Sequence, residues 1–230
     1  MAEYHPTDDM ILGYASGSLS EGLSLLMASH LTYCAECRQR VEKLESLGGA
    51  MLSAMSVPNM TPPAFDDILA RLGPQDPAPG IGATSTGATG AQGNGVARPA
   101  QAMASTVLPA AIRDRIGGSE AEISWRFRMP GLSEHVISTS ETESVSLLRA
   151  RPGARMLAHT HHGDEATLIF SGEMRDGDRV YRRGDVAIAD EADDHRPEIV
   201  GEETCYCLIV MSGSMQFTGR LGKVLNLFHG

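Results

Sequence analysis

At 230 residues and 42% hydrophobic side chains, the chain is long enough for one or two domains and apolar enough to bury a core. A net charge of -10 repels a phosphate backbone, and no local basic patch offsets it, so direct nucleic-acid binding is excluded as a function class. No run approaches the roughly 20 apolar residues that span a bilayer, "MAEYHPTDD" lacks the basic and apolar regions of a secretory leader, and four cysteines are too few to staple a secreted scaffold, so the chain reads as cytoplasmic, with no membrane partner.

The first elements are helical. "TDDMILGYASGSL" offers Thr7 or Asp8 as a cap with acids in the first turn, "SEGLSLLMASHL" offers Ser20, a long run follows from about Ala35 to Met55, and "PPAFDDILARL" gives a weaker short helix. Within this part, "ASHLTYCAEC" sets His30, Cys34 and Cys37 at spacings of four and three, which on a helix or helix-turn junction share a face. Three such ligands suit zinc, which wants four. If the first two helices form an antiparallel hairpin, His5 reaches the same point and closes a His2Cys2 set, the composition of a structural rather than a catalytic zinc. The competing reading is a pair of buried core thiols with His5 on the surface. A thioredoxin-like redox pair is disfavoured, because no βαβ pattern surrounds the C-x-x-C.

After Leu72 the composition changes to Gly, Ala, Pro, Ser and Thr, which cannot bury enough apolar area to offset ordering, so 73–106 reads as a flexible linker between 1–72 and 107–230. Beyond it the pattern is that of strands: "EISWRFRM", "EHVIS", "ESVSLLRA", "ATLIFSGEM", "DVAIAD" and "CYCLIVM", separated by "PGA", "SGE", "RDGD" and "RRGD" turns, as in an all-β barrel or sandwich. Strand periodicity points His159 and His161 to one side, Glu165 returns after a short turn, and His195 follows another strand and turn, making a His3Glu set suited to Zn2+ or another divalent transition metal. His162 is the alternative ligand, ranked outside the site because it faces the other way. Cys205 and Cys207 share a strand face and read first as core thiols. Trp125 and Phe127, alternating with Arg126 and Arg128, suggest an edge strand with one buried aromatic face. The apolar spacing of "GRLGKVLNLFHG" suits packing on the barrel or on a partner.

The stretch "HPTDDMILGYASGSLSEGLSLLMASHLTYCAECRQRV" resembles the N-terminal domain of zinc-binding anti-sigma factors of the ChrR type, and the match implies His5, His30, Cys34 and Cys37 as the ligands of a structural Zn2+. "PGARMLAHTHHGDEATLIFSGEM", with Gly153, H-x-H-x3-E and Gly172, followed by Gly184 and His195, is similar to the paired motifs of cupins. "DEADDH" stands where the second motif usually carries proline and glycine. ChrR-type factors join these two halves in this order. The resemblance therefore implies an α + β multidomain fold: a small all-α zinc-binding helical domain followed by an all-β cupin, or double-stranded β-helix, barrel. It further implies a non-enzymatic protein that sequesters an extracytoplasmic-function sigma factor and releases it under singlet-oxygen or organic-peroxide stress. The alternative is a metal-dependent cupin enzyme of dioxygenase or isomerase type, with the zinc half as a docking module. A DNA-binding zinc finger fails for want of a basic recognition helix.

Overall fold

The computed structural model describes residues 2–56, 65–72 and 107–218. The linker expected over 73–106 and the C-terminal segment from 219 onward lie outside the described residues. Met1–Ala50 and Ala104–Gly230 form one compact unit. A second, Met51–Met103, contains among its described residues the end of α3 and the short helix α4 (Phe65–Leu72).

Helix α1 (Asp8–Ser16) begins where Thr7 Oγ1 accepts the Met10 N–H, so of the two candidate caps Thr7 serves and Asp8 is the first helical residue, and α2 (Glu21–His30) begins where Ser20 Oγ accepts the Leu23 N–H, as expected. Helix α3 (Ala35–Ala54) starts directly after Cys34. A further helix, α5 (Ala110–Ile116), was not legible as such; Pro109 stands at its N-cap and Gly117, at φ 74°, ends it.

Eleven strands follow among the described residues: β1 (Arg126–Met129), β2 (Leu132–Thr139), β3 (Glu143–Ala150), β4 (His159–His162), β5 (Glu165–Ser171), β6 (Glu173–Asp176), β7 (Arg179–Tyr181), β8 (Val186–Ala189), β9 (Glu198–Val200), β10 (Cys205–Ser212) and β11 (Ser214–Phe217). They form a six-stranded sheet ordered β1-β2-β3-β10-β5-β8, a three-stranded sheet β7-β6-β9 and a two-stranded sheet β11-β4. The stretch "ATLIFSGEM" is two strands, because Gly172 at φ 70° turns the chain where an added Cβ would lie 2.7 Å from the Cys205 backbone. β1 is the sheet edge, as expected, but its aromatic face is not continuous. Trp125 precedes the strand and packs across Tyr206 with the Arg149 guanidinium over its ring, whereas Phe127 is exposed.

Both faces of the large sheet are covered, which explains why β5 and β10 read as nearly unbroken apolar runs. Leu132, Leu148, Ile169, Cys205 and Cys207 join Met174, Tyr181 and Ile199 of the small sheet in the barrel interior. Val145, Leu147, Leu168, Phe170, Leu208 and Val210 face outward, into one core with Ile11, Leu26, Met27, Val41 and Ile112 of the helices. The helical and β halves thus share a hydrophobic core.

Close approach of α2 to β3 depends on Gly22, where an added Cβ would lie 2.6 Å from both Glu143 Oε1 and Val145 Cγ2. The Glu143 carboxylate also accepts the Gly22 N–H at 2.9 Å and the Ser20 hydroxyl, placing a negative charge at the start of α2. Gly22→Leu is expected to lower stability by about 1–3 kcal/mol through overpacking, read as a reduced denaturant midpoint in urea unfolding.

Candidate metal centres

The first cluster is assembled from three pieces of chain. The segment before α1 carries His5, the end of α2 carries His30, and Cys34 and Cys37 sit at the start of α3. His5 Nδ1 lies 3.4 Å from each of the Cys34 and Cys37 sulfurs, and the His5 and His30 rings are 6.0 Å apart, nearly edge to face. His30 donates from Nδ1 to the Gly184 carbonyl at 2.8 Å, leaving Nε2 buried without a partner. One ligand atom from each of the four residues falls within 4.8 Å of the others. Burial lowers the His30 pKa, so the ring is neutral and its Nε2 offers a lone pair. Burial, with Cys34 beside it, pushes the Cys37 thiol up to about 12, so without a cation the thiol stays protonated, and a metal bound there displaces that proton.

The second cluster lies in the barrel. β4 presents His159 and His161 on one face, Glu165 opens β5, and His195 pairs its backbone with His159 in an isolated bridge. His161 Nε2 and His195 Nε2 are 2.8 Å apart, and His161 Nε2 lies 3.6 Å from Glu165 Oε2. Two nitrogens bound tetrahedrally to one zinc sit about 3.3 Å apart, so the spacing is close to that of shared ligands. Two of the three outer ring nitrogens are tied down: His159 Nδ1 donates to the Leu157 carbonyl and His195 Nδ1 to Asp176 Oδ2, both at 2.7 Å, while Glu165 Oε1 accepts from Thr167 Oγ1 at 3.1 Å. These bonds direct His159 Nε2, His195 Nε2 and Glu165 Oε2 toward a common point.

The electrostatics suit a cation. Burial brings His161 down to about 4 and lowers His159, with neighbouring imidazoles adding to both. Burial also raises Glu165. At His195 burial pulls downward, but the hydrogen bond and charge of Asp176, with Glu165 behind, carry the net shift upward. Buried polar atoms without partners are costly, and of the four such side-chain atoms among the described residues three, His30 Nε2, His159 Nε2 and Glu165 Oε2, would be answered by a metal ion held in their cluster. The fourth, His161 Nδ1, would not.

All eight residues expected from the sequence therefore fall into the two expected groups, each able to hold a metal ion. His162 is exposed and outside both. The outer partners were missed: Asp176 lies 19 residues before His195, in a stretch that reads only as a turn, and Gly184 serves His30 from 154 residues away. Cys205 and Cys207 are buried free thiols in the barrel interior.

Residues 114–216 match the ChrR cupin-like domain family. Over 226 residues, 98% of this chain and 97% of the relative, the sequence is 28% identical to the anti-sigma-E factor ChrR of Cereibacter sphaeroides. Among solved structures, a chain in the crystal structure of Rhodobacter sphaeroides SigE in complex with the anti-sigma ChrR superposes with a TM-score of 0.71 at 26% identity, covering 92% of this chain and 100% of that one. The chain is thus similar to ChrR along nearly its whole length, with the match to the ChrR cupin-like family confined to residues 114–216 behind the helical half.

Proposed function

We propose that this protein is a cytoplasmic anti-sigma factor, which holds an extracytoplasmic-function sigma factor through residues 1–72 and releases it when residues 107–230 register oxidative stress, in the form of singlet oxygen or organic peroxide. The observation that carries the reading is the correspondence of both halves, in order, to a chain crystallised with a sigma factor. The same correspondence favours regulation over catalysis. Met51 and Leu52 near the end of α3 and Met55 just past it are exposed, and such apolar side chains are the kind of surface a protein partner covers.

The donor sets support the metal assignments. Two thiolates and two imidazoles at His5, His30, Cys34 and Cys37 suit a closed, structural zinc; three imidazoles and a carboxylate at His159, His161, Glu165 and His195 suit zinc or another divalent transition metal. Oxidation at or beside the second set would alter the barrel, and the shared hydrophobic core gives that change a physical path to the helices. Among the described residues no helix is long and apolar enough to cross a membrane.

The full-length protein as bait in lysate of its own host, with metals quantified on the same sample, tests the reading. Recovery of one sigma factor on metal-loaded bait is expected; metal-loaded bait that recovers no sigma factor would sink it. Within the barrel, Asp176→Asn keeps the side-chain shape but removes the negative charge that orients His195, and is expected to weaken metal binding there about 10-fold, measured by chelator competition.

A further inference from the structure

The N-terminal metal cluster is supported from the β half as well as from its own helices. The turn between β7 and β8 reaches all three of the segments that bear its residues. Gly184 gives its carbonyl to His30 Nδ1 at 2.8 Å. Asp185, buried to 2% exposure, accepts the N–H groups of Glu3 and Tyr4 at Oδ1, at 2.6 and 3.2 Å, and that of Arg182 at Oδ2, at 2.7 Å. Val186 donates its N–H to the Tyr4 carbonyl at 3.0 Å, so the residues just before His5 run laced along the start of β8. The Tyr4 ring packs on Tyr181, centroids 4.7 Å apart. On the other flank, the Arg183 guanidinium lies over the ring of Tyr33, the residue before Cys34. Gly184, at φ 91°, fits because an added Cβ would lie 2.9 Å from the Tyr33 Cβ.

The geometry points to the Gly184–Asp185 turn as the outer support of the N-terminal metal centre. Gly184 orients His30 directly and Asp185 orients His5 through the backbone of residues 3 and 4, so that metal binding by the helical half and its docking on the barrel are thermodynamically linked. A neutral imidazole has one donor nitrogen and one acceptor nitrogen, and the Gly184 carbonyl selects the tautomer that leaves Nε2 free. His5 belongs to no helix, and its place beside the two sulfurs depends on the backbone that precedes it. Undocking the turn withdraws the support of two ligands at once. By reciprocity, a bound metal strengthens docking by the same factor that docking strengthens metal binding. This inference rests on the reading of His5, His30, Cys34 and Cys37 as a metal site.

The test uses the full chain carrying His159→Ala and His161→Ala, so that the N-terminal site is the one titrated, with cobalt(II) as the probe. Thiolate-to-cobalt charge-transfer bands report Cys34 and Cys37, and the visible d–d bands report the complete tetrahedral set. Asp185→Asn is expected to lower cobalt affinity about 10-fold and to shift the d–d bands while the thiolate bands persist. A second arm needs no variant at Asp185: stripping the metal with a chelator should speed amide hydrogen exchange at Tyr4 and Val186 and leave Leu208, at the centre of the sheet, unchanged. Wild-type affinity and bands in Asp185→Asn, or exchange at Val186 indifferent to metal, would overturn the linkage. Absence of thiolate bands in the chain with Asp185 intact would overturn the metal reading beneath it, a distinct result.

Discussion

Replacing Cys34 with alanine is expected to empty the N-terminal centre, loosen the helices that carry it and abolish capture of the sigma factor. The buried apolar residues of the helical half, chiefly Met10, Ile11, Leu26, Met27 and Val41, belong to the core shared with the sheet, and its four candidate ligand residues are brought together from three separate stretches of chain. In small zinc domains the metal contributes an apparent 10–16 kcal/mol to folding. The loss should be read three ways on one preparation: zinc falls by one equivalent per chain, the sigma factor is no longer recovered, and hydrogen exchange accelerates across α1 to α3. The interior of the barrel, centred on Ile169, Cys205 and Cys207, should keep its protection. A variant that retains both zinc and partner would remove the metal from the account of sigma binding.

The paired change His159→Ala and His161→Ala should separate holding from release. Both imidazoles are buried, and their removal leaves Glu165 in an apolar setting that already favours its protonated form, so the barrel centre loses its charge and its metal together. The fall in metal affinity should exceed the roughly 10–100-fold typical of outer-sphere losses. The sigma factor should still be bound, since the helical half keeps His5, His30, Cys34 and Cys37, but stress should no longer induce sigma-dependent transcription. Undiminished induction by singlet oxygen or organic peroxide would refute the barrel's part in release.

The two candidate metal-binding groups were legible as groups because metal chemistry imposes local spacing on its ligands. His30, Cys34 and Cys37 announce themselves by intervals of four and three, and His159, His161 and Glu165 by strand alternation and a short return. The caps at Thr7 and Ser20 were legible for the same reason, being read from the next three residues. The supporting atoms were not. Leu157 and Gly184 act through main-chain carbonyls, which any residue carries, and Asp176, the last residue of β6, and Asp185 sit beside turns, where aspartate is expected whether or not a histidine needs it. The strands β7, β9 and β11, three or four residues long, carry too little periodicity to be separated from the turns around them. The helix-covered face of the large sheet was invisible for a different cause: a strand buried on both sides loses the alternation that would reveal which side meets what.

Because that face is covered by helices from the opposite end of the sequence, the order of synthesis matters. Leu26 and Met27 leave the ribosome well before Leu208 and Val210, their partners in the shared core, which lie some 180 residues later. At elongation rates of about 5–20 residues per second this interval is on the order of 10–40 s. Throughout it the nascent helical half presents apolar side chains that the finished protein conceals, and its four candidate metal ligands are all present before the carbonyl that will steady His30 has been made. A sigma factor or a chaperone encountering the growing chain therefore meets a surface different from the one offered by the completed molecule.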